Sequence, residues 1–115
     1  MDESLTTEAP PALTREEVID RCQRGESLSD ARLENLDLSG LNLSGADFRK
    51  ASLDQIKFND ANLVGSDFTG ATLRNLDLTS ANCSDARFAE AFLSNAVLDR
   101  CVFIGADLSG LHAHR

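Results

Sequence analysis

From Leu28 to Leu108 every fifth residue is Leu or Phe, with Cys83 the one exception across seventeen consecutive positions. Two residues before each of these centres stands Ala, as at Ala31, Ala61 and Ala81, or another small or aliphatic residue, as at Leu41, Ile56, Ser66 and Cys101. Only Glu26 breaks that second column. The positions flanking each centre are mostly Asp, Asn, Ser, Thr, Lys or Arg. A period of five fits neither a helix, at 3.6, nor a flat strand, at 2. It predicts stacked coils, in which no single repeat buries its own apolar side chains.

A second period lies over the first. Phe48, Phe68 and Phe88 are twenty apart, as are Leu33, Leu53, Leu73 and Leu93, and as are Asn42, Asn62 and Asn82. Four pentapeptides then make one coil, and like residues stack in ladders at the inter-strand spacing of about 4.8 Å. These Phe and Leu ladders are the expected structural core. All seven glycines share one phase, two residues after a centre, where a corner calls for the positive φ that Gly adopts at low cost.

Stretches such as Ala46-Asp47-Phe48-Arg49-Lys50, Ala61-Asn62-Leu63-Val64-Gly65 and Ala106-Asp107-Leu108-Ser109-Gly110 resemble the A-(D/N)-(L/F)-x-x unit of the pentapeptide-repeat family. The resemblance covers about three quarters of the chain without an insertion. It implies an all-β solenoid, a right-handed quadrilateral β-helix of about four coils with Leu/Phe and Ala pointing inward. It implies less about function, because one scaffold hosts many jobs.

The flanks of the repeat differ from it in kind. Residues 1–12, with Pro10 and Pro11, read as a disordered acidic tail. Residues 13–25 read as an N-terminal capping helix. Thr14 is its N-cap, Glu17 completes a capping box, Leu13 and Val18 are placed as a hydrophobic staple, and Gly25 ends it. Such a helix would lid the first coil of the 26–110 β-helix and cover its unpaired edge. Residues 111–115 read as a solvated C-terminal tail too short for a lid, and its His-x-His is a weak ligand set.

The chain has 115 residues, a formal net charge of −8, no Tyr or Trp and three cysteines. That makes one domain with a Leu/Phe/Ala core rather than a shaped cavity. An odd cysteine count without close pair spacing fits reduced thiols, with Cys83 and Cys101 as small inward fillers. No apolar run is long enough to cross a membrane and no signal-peptide pattern opens the chain, so a cytoplasmic location is expected. Catalysis, a cofactor and a metal site are not expected. The only histidines lie in the tail, no phosphate loop or Cys/His metal spacing occurs, and carboxylates on a convex rod lack the cleft that separates acid from base. The negative charge also excludes direct nucleic-acid binding.

Two classes of non-catalytic function remain. The first is a protein-interaction scaffold or adaptor. The last full coil carries Phe92, Val97, Val102 and Ile104 at outward positions where earlier coils are polar. Apolar surface gathered in this way marks an interface, and a homodimer through the C-terminal coil would satisfy it. The side made by 41–45, 61–65, 81–85 and 101–105 holds one charged residue, Asp85, and displays Asn42, Asn62, Asn82 and Val64. Charge depletion is the mark of an interface centre, while an Asn ladder also stabilises its own sheet. The run from Leu13 to Ile19, then Gly25-Glu26-Ser27-Leu28 leading into the repeats, resembles pentapeptide-repeat proteins beside bacterial type VI secretion effectors. That resemblance implies a secretion adaptor or effector as partner. The second class, implied by other members of the family, is a DNA mimic that binds type II topoisomerase (gyrase) and protects it from inhibitors. Lys57 and Arg87 interrupt the two best Asp columns and argue against it.

Overall fold

The computed structural model describes residues 12–114, so the expected tail over residues 1–12 lies, but for Ala12, outside the described residues. The repeat winds into a parallel β-solenoid of about four turns behind one short helix. Its first side is a five-stranded parallel sheet, β1 (Arg32–Glu34), β2 (Ser52–Asp54), β3 (Thr72–Arg74), β4 (Phe92–Ser94) and β5 (His112–His114), paired in chain order. The register advances one coil at each step, Leu33 beside Leu53, Leu53 beside Leu73, Leu73 beside Leu93. Three further sides are held by single parallel bridges. They run Asp37–Lys57–Asp77–Val97 on the second side, Asn42–Asn62–Asn82–Val102 on the third and Asp47–Asp67–Arg87–Asp107 on the fourth.

The hydrogen bonding explains the five-residue period. The centres of the earlier coils donate their N–H to the coil above, as Leu38 does to the Lys57 carbonyl at 2.8 Å. The residue before the centre donates to the coil below, as Lys57 does to the Leu36 carbonyl at 2.9 Å. The chain then turns and repeats. An Asp or Asn before the centre secures that turn, because its Oδ1 accepts from the N–H two residues on: Ser44 to Asn42, Val64 to Asn62, Thr79 to Asp77, Ser109 to Asp107. This Asx turn is the physical content of the (D/N) position. The corner phase takes positive φ throughout, from Gly25 to Gly110, but eleven of these corners are not glycine. Asp30, Lys50, Gln55, Glu90 and Arg100 are among them, with φ between 57° and 62°. The glycines mark the phase without being required at every turn.

Phe48, Phe58, Phe68 and the Leu33, Leu53 and Leu73 ladder are buried, with the Ala column packed beside them. Phe68 stacks on Phe48 (centroids 4.8 Å apart, planes 3° apart) and on Phe88 (5.0 Å, 5°), and Phe58 meets it edge-on at 6.3 Å. Ser66, in the Ala column, is fully buried and donates its hydroxyl to the Leu63 carbonyl at 2.8 Å. Leu93 departs from expectation: it is only partly buried, because it belongs to the last coils of the stack.

Helix α1 (Arg15–Gln23) starts at Thr14, whose hydroxyl accepts from the Glu17 N–H while the Glu17 carboxylate accepts from the Thr14 N–H at 2.7 Å. It ends in a Schellman arrangement, Glu26 N–H to Arg21 O and Gly25 N–H to Cys22 O, with Gly25 at φ 71°. Val18 is buried in the core, Leu13 and Cys22 pack against it, and the Arg15 guanidinium reaches the Asp37 carbonyl at 3.0 Å. The C-terminal segment 111–115 is not a free tail over its described part. His112–His114 form β5, the His112 N–H reaches the Ala91 carbonyl, and the His112 ring stacks on Phe92 at 4.8 Å. The pleat decides this: Ala113 takes the inward position, which puts both histidines outside.

Candidate protein interface

The outward apolar residues of the last coil lie on different sides of the rod. Phe92 belongs to the first side, Val97 to the second, Val102 and Ile104 to the third. They form a partial rim, not a flat patch. Ile104 is the most exposed of them, at 75%. Phe92, 54% exposed, has one ring face covered by His112, which the sequence reading assigned to a solvated tail. Inside the rim, the centres Leu98 and Leu108 are 40% and 44% exposed, since none of the described residues forms a coil over them. The sequence reading treated both as buried centres.

Backbone chemistry follows the same boundary. The N–H groups of Leu98, Phe103 and Leu108 stand where earlier centres donate to a following coil, and among the described residues they have no such acceptor. The carbonyls of Ala96, Cys101 and Ala106 are the matching acceptors. The edge thus offers an acceptor and, two residues on, a donor along each of these sides.

The Asn column of the third side is largely engaged. Asn42, Asn62 and Asn82 each hold an Asx turn, and Asn62 also donates to Asn42 at 3.2 Å. Val64, beside them, is half-buried. These four therefore sit together on one side, but the amides serve the fold first, and the third side is apolar and outward only where it reaches Val102 and Ile104.

The sequence profile of pentapeptide repeats matches residues 27–63, 53–82 and 81–112, eight copies in all. The chain belongs to the pentapeptide repeat family. Solved pentapeptide repeat proteins share its fold. HetL, a protein involved in heterocyst differentiation regulation from the cyanobacterium Nostoc sp. strain PCC 7120, is 32% identical over 75% of this chain and 40% of its own, with a TM-score of 0.70. A pentapeptide repeat protein of the Arabidopsis thaliana thylakoid lumen is 31% identical over 76% of this chain and 61% of its own, with a TM-score of 0.71. A second Nostoc protein, 21% identical over 91% of this chain and 99% of its own, matches in fold with a TM-score of 0.68. The chain thus spans less than two thirds of the first two of these relatives. No curated protein matches it.

In pentapeptide-repeat terms the acidic columns occupy the Asx position, and each is interrupted by one basic residue. Lys57 sits in register between Asp37 and Asp77, and Arg87 between Asp67 and Asp107. Asp47 accepts from the Arg49 guanidinium at 2.8 and 2.9 Å and from the Ser27 hydroxyl at 2.7 Å, which together hold its carboxyl well below the usual range against the cost of desolvation. Bonds from Ser39, Thr79 and Ser109 lower Asp37, Asp77 and Asp107 in the same way. None of the described Cys, His, Asp and Glu residues cluster as a metal site, and no described helix is long and apolar enough to cross a membrane.

Proposed function

We propose that this pentapeptide repeat protein is a non-catalytic interaction module that pairs through its last coil, with a second copy of the chain as the first occupant. The observation that carries this reading is the outward Val97, Val102 and Ile104 on one coil of an otherwise polar rod. Two such edges brought together antiparallel are self-complementary: the Cys101 carbonyl of one copy accepts from the Phe103 N–H of the other, and the reverse. That arrangement sets Val102 directly opposite its own copy, as a non-hydrogen-bonded cross-strand pair. The finer reading, an accessory that serves effector loading in bacterial type VI secretion, is supported by the likeness of Leu13–Ile19 and Gly25–Leu28 to pentapeptide-repeat proteins found beside such effectors.

Replacing both Val102 and Ile104 with Asp places like charges face to face while leaving the inward Phe103 in place. Light scattering should show the wild type associating and the double variant weakened by several kcal/mol, with unchanged circular dichroism. A wild type that stays monomeric and binds its partner no better than the variant does would overturn the reading. The mimicry alternative predicts protection or inhibition of gyrase supercoiling, lost in Asp47→Asn with Asp67→Asn and weakened steeply by salt. Given that Lys57 and Arg87 interrupt the acidic columns, no effect on gyrase is expected.

A further inference from the structure

Cys83 is the one centre of the repeat that is neither Leu nor Phe, and it occupies the third side between Leu63 and Phe103. Cys101 occupies the small inward column of the same side in the following coil. The winding brings these two thiols, eighteen residues apart, into contact, with their sulfurs separated by 3.7 Å. Cys83 is fully buried and Cys101 part-exposed in the terminal coil, and neither is in a disulfide. Cys22 lies on α1, against the opposite end of the core. A disulfide needs the sulfurs to close to about 2.05 Å, so forming it requires the coil that carries Cys101 to shift toward Cys83.

We infer that Cys83 and Cys101 are a redox-active dithiol that a small-molecule disulfide such as oxidised glutathione converts to an intramolecular bond. Cys101, the accessible thiol, attacks one glutathione sulfur as the thiolate. The glutathione S–S bond breaks and one glutathione leaves, taking up a proton. Cys83 then attacks the Cys101 sulfur, the mixed disulfide breaks, and the second glutathione leaves with the Cys83 proton. Two protein thiols are oxidised to one disulfide while one glutathione disulfide is reduced to two thiols. The order of attack agrees with the contact between them. The Cys83 thiol lowers the pKa of Cys101, and the same contact, together with burial, raises that of Cys83. The bond would tie the 81–85 segment to the 101–105 segment and so fix the coil that carries Val102 and Ile104. Glutathione reaches Cys101 only while that coil is unpaired, so pairing through the coil would protect the dithiol from oxidation.

Oxidation of the full chain with glutathione disulfide, followed by alkylation and non-reducing tryptic digestion, tests it. Cleavage after Arg74, Arg87 and Arg100 puts the two cysteines on separate peptides, so a linked pair of peptides reports the bond directly. The expected result is loss of two hydrogens from the intact protein, a Cys83–Cys101 linked peptide, alkylated Cys22 and full reversal by dithiothreitol. Cys83→Ser should stop at a stable glutathione adduct on Cys101, and Cys101→Ser should take up no glutathione at Cys83. Oxidation should raise the melting temperature by several degrees and slow amide exchange at Leu98–Gly110. Three free thiols at equilibrium, a persistent wild-type adduct at Cys101, or cross-links only between chains would overturn it.

Discussion

At the scale of single residues, the corner and the Asx position do most to hold the coil. A non-glycine residue in the left-handed region costs on the order of 1 kcal/mol, and the chain carries that cost at eleven corners. Arg100, at φ 57° with its side chain exposed, is a clear instance. Arg100→Gly should therefore stabilise the protein by about 0.5–1 kcal/mol, measured by urea unfolding. The reverse change at Gly65, which has φ 70° and open space around it, should cost about as much. The Asx carboxylates make a second prediction. Asp37, Asp47, Asp77 and Asp107 have folded pKa values lowered by the hydrogen bonds they accept. Their contribution is fully present above the ordinary Asp value of 3.8 and is lost as pH falls through it toward the folded values. The melting temperature should change little on their account from pH 7 to about 5 and fall steeply below about 4.

At the scale of elements, the rod is held by ladders, and the Phe ladder is the stiffest. Phe68 touches the rings of Phe48, Phe58 and Phe88 and is buried. Phe68→Ala should cost about 3–5 kcal/mol, a large share of a small domain's stability. A melting temperature within a degree or two of wild type would be incompatible with the stack. Strand β5 is the other element with a specific role. Its His114 carbonyl accepts the Asn95 N–H, and His112 covers Phe92. A chain shortened after Gly110 should lose exchange protection at Asn95, whose N–H bonds to His114, while keeping it at Phe92, Ser52 and Asn62, whose N–H groups bond to earlier coils.

At the scale of the whole molecule, a solenoid is a stack of nearest-neighbour interfaces, so its properties vary along the axis and not around a centre. Helix α1 closes one end by placing Val18 against the core and its own hydrogen bonds over the first coil. Toward the other end burial declines coil by coil, and Leu93, Leu98 and Leu108 give up the burial that Leu33, Leu38 and Leu43 have. The same gradient brings the apolar rim, the edge that no described residue pairs with and the Cys83–Cys101 pair into one region. Charge follows a different logic. Asp37, Asp47, Asp67, Asp77 and Asp107 take the turn-forming Asx position, Lys57 and Arg87 interrupt their columns, and Arg49 pairs with Asp47.

The five-residue hydrophobic period and its twenty-residue overtone determined the solenoid, its four sides and its inward residues without help from the structure. An inward position recurs every five residues only if the chain turns at that interval, so few other folds satisfy the pattern. Thr14, Glu17 and Gly25 likewise carried the helix ends, because capping is local chemistry. Three outcomes needed the tertiary structure, because each depends on what lies one coil above or below. Leu98 and Leu108 have the same local sequence as buried centres and differ only in lacking a neighbour among the described residues. His112 and His114 enter a strand because β4 offers them an edge, although nothing in their own five residues calls for one. Cys83 and Cys101 meet because residue 101 lies one coil, twenty residues, above residue 81, and Cys83 is the next inward position after Ala81.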